Sequence, residues 1–259
     1  MQKSITKIAL AGSGNIAWHL ANALKLQGYQ ITGIWSRNFS NARALAESCG
    51  SVACEEISDL GKSADLIIIA VADKAIEDVA NAIRGFDGIV VHTAGSVSID
   101  ALKDFFKNCG VLYPLQTFSK GTPVNMREIP FFLESSSENV SQTIKQVALS
   151  LSDKVYQADS HQRILLHVAA VFAANYSNLM YTIGNEVIKS SGLPQEVLYP
   201  LILETARKAI SGDPMKMQTG PARRNDTTTI EKHIEILASL PEYAELYRLL
   251  ANLISKKYK

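Results

Sequence analysis

The 259 residues predict an α/β fold, a doubly wound and mostly parallel sheet followed by an all-α domain. Three observations carry this reading. Short β-branched runs alternate with helical patterns as far as about Ser152. A glycine-rich turn joins the first run to the first helical pattern, and beyond Asp159 strand signals give way to long apolar-rich helical patterns. Hydrophobic residues make up 47% and charged residues 20%, with 15 Gly and 8 Pro, which excludes disordered, collagen-like and low-complexity chains.

In chain order, Ile5–Ala11 is an apolar strand that runs into the glycine turn and a helix near Ile16–Gln27. The strand Ile31–Ser36 and a helix at Asn41–Cys49 follow. Leu66–Val71 is continuously apolar, as expected of a parallel strand covered on both faces, and leads to a helix at Ala75–Ile83. Ile89–His92 and Val111–Tyr113 read as strands flanking a helix at Ile99–Asn108. The strand Phe131–Glu134, the helix Asn139–Leu151 and a short strand at Lys154–Tyr156 close the first domain, residues 1–157. Residues 158–259 read as helices at Ser160–Ser190, Gln195–Ile210, Thr228–Ser239 and Glu242–Lys256. At 1.5 Å per residue the first of these is about 45 Å long, more than the diameter of a small domain. So long and apolar a helix is expected to pack against a second copy, giving a homodimer.

With 26 basic and 25 acidic residues, the net charge of +1 supplies no general attraction to nucleic acid or anionic lipid. Cys49, Cys54 and Cys109 match no disulfide framework, which favours a reducing, cytoplasmic compartment. Polar residues from Met1 to Lys7 argue against a signal peptide. The longest later apolar run, Ile164–Ala174, contains His167 and is shorter than the roughly 20 residues of a membrane helix, so no bilayer span is expected.

Gly12-Ser13-Gly14-Asn15-Ile16-Ala17 reads G-x-G-x-x-A between the first strand and its helix. This is the dinucleotide-binding fingerprint of a Rossmann sheet in its required context. Gly12 allows the tight turn, Gly14 lets a pyrophosphate approach the backbone, and Ala17 permits close helix–sheet packing. About twenty residues on, where an NAD protein places a carboxylate on the ribose, the chain has Ser36-Arg37. A hydroxyl and a guanidinium suit a 2′-phosphate, so NADP is the expected cofactor; the plainer reading makes Arg37 a solvated loop residue. Val71-Ala72 and Thr93-Ala94-Gly95 end strands on the same carboxyl edge, where small residues let the nicotinamide end pass. His92 is either a proton donor there or a hydrogen-bonded strand-end histidine.

These features resemble a superfamily with an N-terminal Rossmann domain and a helical domain opening on one long helix. It includes 6-phosphogluconate and 3-hydroxyisobutyrate dehydrogenases, pyrroline-carboxylate reductase and deazaflavin-dependent NADP reductases. The strings His92-Thr93-Ala94-Gly95-Ser96, Tyr113-Pro114-Leu115-Gln116-Thr117-Phe118, His167 to Asn178, and Thr219 to Asp226 resemble one branch more closely. That branch comprises NADP oxidoreductases with a Rossmann-like domain and a C-terminal domain of unknown function. The resemblance implies a 6-phosphogluconate dehydrogenase C-terminal-like helical domain and leaves the reaction open. Hydroxyacid dehydrogenases carry Lys and Asn four residues apart on the long helix; with Asn175 as that Asn, Val171 stands where the Lys would be. Aligning His167 with the Lys instead puts Val171 at the Asn position, so neither register restores the pair. Pyrroline-carboxylate reductase resembles this chain in lacking that Lys, which keeps imine reduction open.

At 100° per residue, Arg163, His167, Asn178, Tyr181 and Asn185 fall on one line of the long helix with Asn175 at its margin, a polar stripe expected to be hydrogen-bonded or to face the cleft between domains. His167, Asn175 and His92 are therefore the catalytic candidates. Gln116 and Thr117, following Pro114, Asn178 on the helix, and Arg223 and Arg224 beside a Gly-Pro turn are candidates for substrate; the two arginines suit an anion and equally a surface ion-pair cluster. No Cys or His spacing suits a metal. Two functions fit: an NADP-dependent oxidoreductase acting on a small carbonyl, imine or deazaflavin-type compound, or a dinucleotide-binding sensor that has lost catalysis.

Overall fold

The computed structural model describes residues 5–258. Eight strands form one sheet in the order β3-β2-β1-β4-β5-β6-β7-β8. They are β1 (Lys7–Ala11), β2 (Gln30–Trp35), β3 (Ala53–Cys54), β4 (Leu66–Ile69), β5 (Ile89–His92), β6 (Cys109–Pro114), β7 (Phe131–Ser135) and β8 (Val155–Gln157). All pairs are parallel except β6–β7. β1 lies between β2 and β4, so the winding reverses there and a crevice opens at the carboxyl ends of these strands.

The pleat divides the core. Ile8 and Leu10 of β1 join Leu20, Leu24, Leu45 and Phe131 on one face, while Ala9 and Ala11 join Val79, Ile83 and Leu102 on the other. The covering helices are α1 (Asn15–Leu26), α2 (Phe39–Cys49), α3 (Ile76–Ala82), α4 (Asp100–Lys103) and α5 (Glu138–Leu151). Side chains cap two of them, with Asn38 accepting from Asn41 N–H and Ser137 from Val140 N–H. The helix expected over Ile99–Asn108 shrinks to α4, because Phe106 turns into the core while Phe105 lies beneath the Arg84 guanidinium. The two-residue β3 has too little periodicity to be seen in sequence.

Next come α6 (Ser160–Ala170), a π-helical segment (Val171–Tyr176) and α7 (Ser177–Lys189). α6 opens on a capping box: Asp159 accepts from Gln162 N–H, and the Gln162 side chain accepts from Asp159 N–H. The strands end by residue 157, yet the compact units part between Ala174 and Asn175, because α6 is tied to the sheet. The second unit holds α7, α8 (Tyr199–Ser211), α9 (Pro214–Met217), α10 (Thr227–Ile236) and α11 (Pro241–Lys257) around a small core at Ile234, Leu237 and Ala244. The expected shortfall in membrane-spanning length does not hold for the helix as formed: Ser160–Lys189 is 30 residues, long and apolar enough by length and composition to cross a bilayer.

Candidate active site

β1 delivers the chain to Gly12, whose φ of +125° belongs to the region that favours glycine, and whose N–H donates to the Trp35 carbonyl at 2.7 Å. A Cβ there would collide with the Ala70 carbonyl. Gly14 is different, because a Cβ on it meets no atom within 4 Å. Gly14 precedes α1 without any side-chain cap, so the first-turn amides, with Asn15 and Ile16, face an open cavity of about 670 Å³. Ser13 and Ser36 join their hydroxyls across its wall at 2.8 Å. Arg37 also lines it, exposed and without an ion pair among the described residues. Val71 and Ala72 form the floor at the end of β4. Gln116 and Phe118 reach the same cavity, and Asn15 holds their loop by donating to the Phe118 carbonyl at 2.9 Å. Sequence reasoning quoted Phe118 only within a string and missed Lys74, which also lines the cavity and which no spacing rule marks.

The other edge residues gather farther along the sheet. His92 is wholly buried, and its Nδ1 accepts from Ala94 N–H at 3.2 Å. Burial, assisted by the Arg163 charge, lowers its pKa to about 4, so the ring is neutral at physiological pH and holds the β5 loop rather than facing solvent. Thr93 N–H donates to the Ile69 carbonyl at 3.2 Å, and Ser96 donates to the Asp73 carboxylate. Beside this loop, α6 is anchored by Arg163, which is fully buried, paired with Glu134 of β7 and bonded to the Val97 carbonyl. One turn later His167 Nδ1 lies 3.2 Å from the Tyr113 hydroxyl at the end of β6. Tyr113 is a polar contact that sequence reasoning quoted only within a string.

Residues 7–100 match the family described as NADP oxidoreductase coenzyme F420-dependent, and residues 129–254 match a domain of unknown function, DUF2520. A crystal structure from Bacteroides fragilis, named "putative NADP oxidoreductase BF3122", is 40% identical over 97% of this chain and 98% of that one, with a TM-score of 0.93. The chain belongs to this NADP oxidoreductase family. A reductive aminase from Aspergillus terreus, crystallised with NADPH and ethyl levulinate, shares the fold at a TM-score of 0.73 and 16% identity over 98% of this chain and 93% of that one. Over 78 residues the chain is 32% identical to an L-aspartate dehydrogenase from Methanocaldococcus jannaschii, and the match spans only 29% of that protein.

NADP is the cofactor of this oxidoreductase family, and the residues fit it. The glycine cradle is open where a pyrophosphate needs space, and the end of β2 offers a hydroxyl and a guanidinium with no ion pair among the described residues, in place of the carboxylate that an NAD protein sets there. Thr117 is occupied locally, its N–H donating to Gln116 Oε1 at 2.8 Å. Asn175 and Asn178 are exposed and belong to the second unit, as do Arg223, which lies over the Tyr258 ring at 4.6 Å, and Arg224. The polar stripe drawn at 100° per residue does not run straight through, because the π-helical turn at Val171–Tyr176 holds an extra residue.

Proposed function

We propose that the chain uses NADPH to reduce a small carbonyl or imine compound, with a deazaflavin as the third substrate class to test, and that it works as a homodimer. The observation that carries the reading is the open Gly14 cradle beside an unengaged Arg37. When bound, the cofactor supplies the hydride. The chain's own part is to seat the dinucleotide on α1, present Ser36 and Arg37 to the 2′ position, and offer the accessible Nε2 side of His167 near the carboxyl edge. NADPH oxidation followed against keto acids, imines and a deazaflavin tests this. Tight NADPH binding with no oxidation across the panel replaces the reading by that of a sensor. Alanine at Asn175, Asn178, Arg223 or Arg224 raising KM would assign that residue to substrate.

The dimer reading rests on apolar residues left uncovered within one chain. Leu165 is 57% and Val168 49% exposed on the long helix. Polar Asn175, Asn178 and Asn185 recur along the same run, which suits a protein interface better than lipid. Sedimentation at low micromolar concentration should show a dimer that Leu165→Glu dissociates; a monomeric wild type overturns it. Buried free thiols at Cys49, Cys54 and Cys109 support a reducing compartment such as the cytoplasm.

A further inference from the structure

We propose that Tyr113 is a positioning residue: it holds His167 in the tautomer with its proton on Nε2, making His167 a hydrogen-bond donor to a carbonyl oxygen or an unprotonated imine nitrogen. The substrate half of this inference rests on the reductase reading above; the tautomer half does not. Tyr113 is 7% exposed, so its hydroxyl hydrogen needs an acceptor inside the protein, and His167 Nδ1 at 3.2 Å supplies one. Burial pushes the Tyr113 pKa up from 10.0, which keeps the hydroxyl protonated and donating. A neutral imidazole that accepts at Nδ1 carries its single proton on Nε2.

The surroundings hold this arrangement. The two rings meet edge-on with centroids 6.2 Å apart. Gly95 closes over their hydrogen bond, where a Cβ would stand 2.7 Å from Tyr113 Cζ, 2.9 Å from its hydroxyl and 3.0 Å from His167 Nδ1. Only a residue without a side chain fits there. The charged groups acting on Tyr113 are Arg163, already paired with Glu134, and Asp73, already bonded to Ser96. His167 is partly exposed, and its Nε2 is neither buried nor hydrogen-bonded among the described residues.

An N–H at that position meets a lone pair favourably and an iminium N–H unfavourably. The hydrogen bond draws electron density from the carbon of a C=O or C=N bond, which makes that carbon a better hydride acceptor. The arrangement therefore selects an acceptor-bearing compound over a protonated iminium.

Long-range ¹H–¹⁵N correlation spectra of the full chain labelled at its 5 histidines read each tautomer directly, and His167→Gln identifies the signal. The expected wild-type result is a proton on Nε2. Tyr113→Phe should give mixed tautomers and lower kcat by about tenfold, less than losing the donor itself would cost, with the NADPH Kd unchanged. A wild-type His167 protonated on Nδ1 overturns the proposal without any variant, so misfolding of Tyr113→Phe cannot shield it. An unchanged tautomer or unchanged kcat in Tyr113→Phe also overturns it and leaves the reductase reading intact. Absence of turnover by the wild type across the panel removes the reductase reading and the substrate half, while the spectra still decide the tautomer.

Discussion

Replacing Gly14 by valine separates binding from folding, because the two fingerprint glycines are needed for different reasons. Gly14 has φ −71° and ψ −172°, a conformation open to any residue, and a Cβ on it touches nothing within 4 Å. The variant should fold, with a stability loss of about 1 kcal/mol or less, the scale of exchanging a glycine at a helix N-cap for an apolar residue. Its methyl groups would occupy the space over the uncapped α1 amides that a pyrophosphate requires. Each charge-assisted hydrogen bond contributes about 1.5–3 kcal/mol, so losing two weakens NADPH binding by roughly a hundredfold to ten-thousandfold. Gly12→Ala is the contrasting control, since φ +125° and the collision with the Ala70 carbonyl make it destabilise the fold itself. Calorimetric titration with NADPH and urea unfolding, run on both variants, give the two readouts. A Gly14→Val protein that binds NADPH with wild-type affinity, or that unfolds as readily as Gly12→Ala, refutes this reasoning.

Arg37→Ala should weaken NADPH by more than about tenfold and NADH hardly at all, since one charge-assisted contact to phosphate is lost; an unchanged NADPH/NADH affinity ratio would remove the 2′-phosphate assignment. Arg163→Met should cost about 3–5 kcal/mol in urea unfolding by leaving Glu134 without its buried partner, and a double variant with Glu134→Leu should recover much of the loss. His92 titrates near 4 when folded against an ordinary 6.5, so the unfolded chain takes up the proton first as pH falls. The stability contribution of neutral His92 is full above pH 6.5 and is lost as pH falls toward 4, about 3 kcal/mol in all. The unfolding free energy of the wild type minus that of His92→Phe should fall by about 3 kcal/mol as the pH drops across that window, and parallel curves would contradict the assignment.

The sheet and its cofactor cradle were legible because each rests on local pattern. A short, β-branched apolar run such as Leu66–Ile69 suits a strand covered on both faces, and the spacing of Gly12, Gly14 and Ala17 has its meaning only between a strand and a helix. Ser36-Arg37 was readable for the same reason, as a fixed distance from the glycines. Phe118 and Lys74 were not, because they reach the cavity from segments far apart in sequence that only the sheet order brings to its rim. The short α4 shows the converse failure: Ile99–Asn108 has helical composition, but burial of Phe106 outweighs the propensity of the residues around it.

The long helix shows how a correct element can still mislead about a site. Its length and apolar character follow from composition, and its first turn is signalled by Asp159 and Gln162 at capping-box spacing. Reckoning faces at 100° per residue assumes one uninterrupted α-helix, and that assumption holds only as far as Ala170. Arg163 and His167 lie before the π-helical turn, four residues apart, so their common side was predictable, and both meet polar groups from the sheet. Their partners were not predictable: Glu134 and Tyr113 come from adjacent antiparallel strands whose pairing sets Tyr113 opposite Phe132 and Val111 opposite Glu134. Tyr113 and Glu134 thus stand two register steps apart on neighbouring strands, close to the spacing of one helical turn between Arg163 and His167. A helix laid against that strand pair can engage both at once. This matching of repeats turns one polar side of α6 into an ion pair that anchors the helix and a hydrogen bond that orients the partly exposed imidazole.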